Sequence, residues 1–157
     1  MNENNAHRRF LKAKPEYRIG SYIPDAIRLF KDSRMEDMTW LKGSDFGSVL
    51  YFSSKDCSAC NIEVAFTTYL EHSQFNYAIF CENYDNESLK EIRGRFEKVR
   101  VYEYDLNCIG EELDVNVVPF MLVTNKLGQV ITAGVVNEYQ HALELLGPLL
   151  RVMQRGI

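Results

Sequence analysis

The chain of 157 residues is long enough for one domain with its own core, and its 46% apolar and 25% charged residues are those of an ordinary globular protein. Its net charge of −4 lacks the cationic surplus that binding phosphates requires, which argues against a nucleic-acid partner. No run approaches the roughly 18 apolar residues of a membrane span, and Met1-Asn2-Glu3-Asn4-Asn5 has none of the apolar character of a signal peptide.

Residues 1–18, with Arg8, Arg9, Lys12 and Lys14, are polar and basic and read as a flexible N-terminal segment. The functional alternative is a juxtamembrane remnant of an anchor. The domain is expected over residues 19–157. Ala26-Ile27-Arg28-Leu29-Phe30 alternates like an edge strand, and Met38-Thr39-Trp40-Leu41 runs into a turn at Lys42-Gly43, so residues 19–43 read as a hairpin packed on a main sheet. Ser48-Val49-Leu50-Tyr51-Phe52-Ser53 is a nearly continuous apolar run, the pattern of a strand buried on both faces.

Behind Cys57, the positions Ile62, Ala65, Phe66, Tyr69 and Leu70 recur at helical spacing, predicting a helix from near Cys57 to about Ser73. Tyr77 to Cys81 reads as a second buried strand, Asn86 to Glu97 as a helix with a charged outer face, and Val99 to Tyr104 as a third strand. Alternation of this kind implies a parallel sheet with right-handed crossovers. Val117 to Thr124 is a further strand, opened by Pro119. Asn125-Lys126-Leu127-Gly128 is a turn tight enough to make the next strand, Gln129 to Ala133, antiparallel. Glu138 to Met153 reads as a closing amphipathic helix, interrupted late at Gly147-Pro148.

Four cysteines are too few for a disulfide scaffold in a chain of this length. Cys57 and Cys60 form C-x-x-C, but no second pair completes a zinc knuckle, and His7, His72 and His141 are too scattered to supply ligands. Neither a metal nor a cofactor is expected. A cysteine between a buried strand and a helix start meets unpaired N–H groups and the positive end of the helix dipole, which favour its thiolate. A second cysteine three residues on is placed to attack a mixed disulfide formed by the first. The tetrapeptide alone is weak; strand, C-x-x-C and helix within an α/β pattern are considerably stronger.

These residues resemble the thioredoxin superfamily, and within it the TlpA-like thiol-disulfide oxidoreductases, a branch related to the peroxiredoxins. The resemblance is carried by Ile19-Gly20-x-x-Ile23-Pro24, by Leu41-Lys42-Gly43 ahead of the first core strand, by Cys57-Ser58-Ala59-Cys60 after it, and by Val117-Val118-Pro119-Phe120 followed by Asn125 to Ile131. The helix and strand at Asn86 to Tyr104 sit where the branch carries an insertion, and the match covers roughly residues 19–150. It implies an α/β fold of thioredoxin type: a central mixed sheet flanked by helices, with an N-terminal hairpin and an inserted helix–strand unit.

The resemblance further implies that Pro119 follows a cis bond and lies beside Cys57. The backbone of Val118 would then be open to pairing with an extended client segment. Glu63, where the branch often carries an acid, is a candidate proton relay for Cys60, and otherwise a solvated helix residue. Two departures stand out. Asp56 replaces the aromatic residue usual before the first cysteine, and its charge opposes a thiolate, with Lys55 as a partial offset. The proline usual soon after the acid is absent at Val64-Ala65-Phe66.

Cys81 and Cys108 follow the second and third strands and read either as unrelated thiols, one buried and one in a loop, or as an accessory pair near the same rim. Phe10, Tyr17, Trp40 and the other aromatics read as core rather than as a platform for a cofactor. The expected function is thiol–disulfide exchange with a cysteine-containing protein client, as a reductant replenished by an upstream thiol. A stable thiolate makes a strong oxidant, and Asp56 disfavours one. Two alternatives belong to other classes. A thiol peroxidase would need P-x-x-x-T-x-x-C, where this chain has Leu50 and Ser54; a redox-inactive binding or assembly module would not need the thiols. The compartment is expected to be the cell envelope if an anchor precedes this sequence, and the cytoplasm otherwise, with any membrane tether outside the given chain.

Overall fold

A computed structural model describes residues 19–155, so the expected flexible segment at residues 1–18, with Phe10 and Tyr17, lies outside the described residues. The chain opens with a two-stranded antiparallel hairpin of β1 (Ala26–Arg28) and β2 (Met35–Asp37), in which Ile27 faces Glu36. The expected second strand at Met38 to Leu41 is instead a 3-10 turn at Thr39–Gly43. The Asp37 carboxylate causes this change by accepting both the Thr39 N–H and its hydroxyl, at 3.1 and 2.7 Å, which turns the backbone out of extension.

Then follow β3 (Ser48–Ser54), α1 (Ile62–Glu71), β4 (Asn76–Glu82), α2 (Asn86–Arg95), β5 (Arg100–Glu103), α3 (Leu106–Leu113), β6 (Phe120–Thr124), β7 (Val130–Val135) and α4 (Tyr139–Arg155). The five strands of the main sheet are ordered β5-β4-β3-β6-β7. β3 pairs in parallel with β4 and β4 with β5, whereas β6 and β7 run antiparallel to their neighbours. The sheet is therefore mixed, as the tight turn at Asn125 to Gly128 requires. Gly128 adopts φ +77°, and the Asn125 carboxamide accepts the N–H groups of Leu127 and Gln129 to close that turn.

β3 is buried at every position because it has strands on both sides and layers on both faces. Val49 and Tyr51 point to one face with residues of α1, α2 and α4, including Val64, Ala65, Leu89, Ile92, Leu146 and Leu149. Leu50 and Phe52 point to the other, where Ile27, Met38, Leu41, Ile109 and Leu113 cover the sheet. Across this second face Phe120, Phe52, Phe80 and Tyr102 stand in register. The Phe52 and Phe80 rings stack with centroids 4.4 Å apart, a contact worth about 1 kcal/mol beyond burial.

Two helices depart from the sequence pattern. α3 is not anticipated, since it is short and contains Gly110, yet Asp105 caps it and Leu106, Ile109 and Leu113 carry its inward side. α4 runs unbroken through Gly147-Pro148, with Leu146 and Leu149 fully buried on either side of the proline. Packing of that face holds the helix across the hydrogen bond that proline removes.

Candidate active site

Because β3, β4 and β5 are parallel, their C-terminal ends share one rim of the sheet, and the chain leaves β3 there at Ser54. Two successive turns follow. The Cys57 N–H donates to the Ser54 carbonyl and the Cys60 N–H to the Cys57 carbonyl, each at 3.2 Å. α1 begins only at Ile62, with Asn61 as its cap, accepting the Glu63 N–H at 3.0 Å. The expected helix start near Cys57 is thus corrected by a turn: both cysteines sit ahead of the helix, not in its first turn. Dipole stabilisation falls off within a turn of the helix end, so Cys57 receives less of it than its sequence position suggests.

Both thiols are free and half-buried. Cys57 Sγ lies 3.7 Å from the Val118 carbonyl, to which its S–H donates. The Val118–Pro119 bond is cis, Pro119 is buried and Val118 is half-buried, so the strand entering β6 lies against the cysteine loop. At Cys60, burial first, and then its hydrogen bond with Cys57, push the thiol pKa up to about 12.

Beneath the loop, three phenols act as struts that the sequence pattern groups with the core. Tyr51 OH donates to the Asn61 carbonyl at 3.2 Å, Tyr84 OH to Ser53 Oγ at 3.2 Å and Tyr104 OH to the Ser53 carbonyl at 3.1 Å. Burial raises the pKa of all three, which keeps them neutral donors. The signal in the sequence is the choice of Tyr over Phe near the C-terminal ends of β3, β4 and β5. A phenol there supplies a donor to the Asn61 and Ser53 carbonyls and to the Ser53 hydroxyl that a phenyl ring lacks. Asn83, at φ +61°, is also unforeseen: its amide donates to the Asp56 carboxylate at 2.7 Å.

Glu63 is turned to a different partner. Both carboxylate oxygens accept from the Arg95 guanidinium, one at 2.7 Å, and Arg95 in turn lies 3.9 Å from the centre of the Phe66 ring. The hydrogen bond to Arg95 is the main cause that lowers the Glu63 pKa. A carboxylate held ionised in this way is a poor acceptor for a thiol proton.

Cys81 and Cys108 are not brought together. Cys81 is buried in β4 within the layer beneath α1 and α2, and burial pushes its pKa up to about 12. Cys108 lies in α3, not in a loop, and its S–H donates to the Arg28 carbonyl of β1 at 3.2 Å, on the opposite face of the sheet. The accessory-pair reading is thereby corrected: the sheet separates the two sulfurs. Among the described residues no cluster of three His, Cys, Asp or Glu is placed to hold a metal ion.

Solved structures share this architecture. One is a thiol:disulfide interchange protein from Bacteroides sp., at 13% identity, TM-score 0.57, covering 83% of this chain and 91% of that one. A second is the thioredoxin domain of a thiol-disulfide oxidoreductase from Bacteroides vulgatus, at 16% identity and TM-score 0.57, covering 80% and 96%. The chain has a thioredoxin-like fold. A third structure with this fold is a secreted Mycobacterium tuberculosis disulfide oxidoreductase described as homologous to Escherichia coli DsbE, at 13% identity and TM-score 0.55, covering 80% and 96%. No protein-family model matches the sequence, and no curated protein matches it. The thioredoxin-like fold places the C-x-x-C loop and the cis-proline segment at one rim; the chemistry rests on the residues themselves.

Proposed function

We propose that this protein is a TlpA-like thiol–disulfide oxidoreductase that reduces disulfides of a protein client through Cys57 and Cys60. The carrying observation is the juxtaposition of two free, half-buried thiols at the sheet rim with Val118, whose carbonyl lies 3.7 Å from Cys57 Sγ. Cys57 thiolate attacks one sulfur of the client disulfide, forming a mixed disulfide, and the departing client thiolate takes up a proton. Cys60 then gives up its proton and attacks Cys57 Sγ. The second client thiol leaves and a Cys57–Cys60 disulfide remains, which an upstream dithiol must reduce.

The high Cys60 pKa suits this order. Part of it comes from the hydrogen bond with Cys57, which is lost once that sulfur is tied up in the mixed disulfide. Deprotonation of Cys60 then becomes easier at the step that needs it. An extended client lying along Val118 and Pro119 would present its sulfur on the same side as Cys57.

The test is a titration of the full chain against glutathione redox buffers, read by alkylation mass. A single two-electron transition is expected, abolished by Cys57→Ser and by Cys60→Ser, together with reduction of a disulfide-bonded protein by the parent chain. A transition that survives Cys57→Ser would sink the proposal.

A further inference from the structure

Asp56 is the least accommodating neighbour Cys57 could have, because an anion next to a thiol opposes its ionisation. The structure deals with it by direction. In the sheet order β5-β4-β3-β6-β7, the strand carrying the loop has β4 on one side and β6 on the other. Cys57 Sγ points to the β6 side, toward the Val118 carbonyl. The Asp56 carboxylate points to the β4 side, where Asn83 Nδ2 donates to it at 2.7 Å.

That contact is one of several linking the two loops. The Lys55 N–H donates to the Glu82 carbonyl at 2.9 Å, and Tyr84 OH reaches Ser53 Oγ at 3.2 Å. Asn83 itself stands at φ +61°, a left-handed conformation that asparagine tolerates better than most residues and that aims its amide back across the rim.

We infer that Asn83 is a positioning residue for Cys57: by holding the Asp56 carboxylate on the β4 side of the loop, it keeps that charge away from the attacking sulfur. The inference deepens the exchange reading above and rests on it for its purpose. Coulomb repulsion falls with distance and with solvent screening, so the direction of one flexible carboxylate sets how much of it the thiolate feels. The other groups facing Cys57 are Cys60 and the phenols of Tyr51 and Tyr84, all kept protonated near neutrality by their raised pKa values. On the β6 side the contact is the uncharged Val118 carbonyl. Lys55 adds a cation, whose ammonium lies 5.8 Å from the centre of the Tyr84 ring, on the β4 side. On the same rim the Glu82 carboxylate is held by the Leu106 N–H, whereas Asp56 is the carboxylate next to Cys57 in the chain and the one whose direction Asn83 sets.

The experiment follows alkylation of the reduced full chain by iodoacetamide as a function of pH, read at the Cys57 peptide by mass spectrometry. Glycine suits a left-handed position, so Asn83→Gly removes the amide with the backbone kept, and thermal unfolding confirms that each variant is folded. Asn83→Gly should raise the pH midpoint of Cys57 alkylation by about half a unit, the scale of one partly screened charge, and slow labelling at neutral pH about threefold. Asp56→Asn should lower the midpoint, and adding Asn83→Gly to it should change nothing more. An Asn83→Gly midpoint equal to that of the parent overturns the inference. So does a shift of the same size when Asp56 is already Asn. The readout concerns one sulfur in the reduced protein. A missing redox transition would therefore defeat the exchange reading while leaving this result to stand or fall separately.

Discussion

Cys57 and Cys60 lie in a turn at the sheet rim, half-buried, with backbone hydrogen bonds that fix the loop and a carbonyl beside the first sulfur. Cys81 and Cys108 lie inside β4 and α3, buried on opposite faces of the same sheet. The four side chains are identical, so the difference in what they can do comes entirely from placement. A loop exposes sulfur to a partner and leaves it a route for its proton. A strand or helix interior turns it into a small apolar filler whose charged form is suppressed.

The widest margin between the two regions should appear in reactivity toward a small alkylating agent. Cys57 is expected to label about a hundredfold faster than Cys81 or Cys108 in the folded protein, because the buried pair reacts only through local opening. All four should label alike in denaturant. Cys60 should lag behind Cys57, its thiolate form being suppressed until the pH approaches about 12. Rapid labelling of Cys81 or Cys108 without unfolding would erase the contrast.

A smaller effect separates the regions by stability. The Cys81 pKa rises from an ordinary 9.0 to about 12 on burial. Below pH 9 the thiol is protonated in both states, and its contribution to stability is constant. Between about 9 and 12 the unfolded chain releases the proton and the folded chain keeps it, so stability falls as pH rises, by at most about 1.4 kcal/mol per pH unit for one group. Tyr77 and Tyr104, also raised by burial, add to the same decline. Urea unfolding from pH 7 to 10.5 should therefore show a shallower alkaline loss in Cys81→Ala than in the parent, whatever their difference at neutrality. Equal slopes would mean that Cys81 is more accessible than its place in β4 implies.

The same contrast explains what the sequence reveals. The alternation of buried strands and helices, the C-x-x-C loop and the turn at Asn125 to Gly128 are legible because hydrophobic period and turn chemistry are local properties. The start of α1 is not, because apolar spacing behind Cys57 continues smoothly into the turns before Asn61. What breaks the helix there is hydrogen bonding of the Cys57 and Cys60 N–H groups to Ser54 and Cys57 carbonyls. The struts from Tyr51, Tyr84 and Tyr104, and the Asn83–Asp56 contact, join residues from different strands and loops. Only the folded rim brings them together.

Glu63 gives the finest test of that rim, because sequence position and structure assign it different work. Its place after Cys60 suggests a relay for the thiol proton, while its carboxylate is engaged by Arg95 on α2 and stands largely exposed. An exposed ion pair contributes about 0.5 kcal/mol even with two-point geometry, since solvent screens it and both side chains lose freedom. Glu63→Gln should accordingly cost the fold about that much and leave the pH profile of client reduction in place. Arg95→Ala should cost slightly more, because the guanidinium also covers the Phe66 ring. If the ion pair is what Glu63 does, the two losses overlap in the double variant instead of adding. A profile shifted by Glu63→Gln, with stability unchanged, would instead return Glu63 to Cys60 as its proton partner.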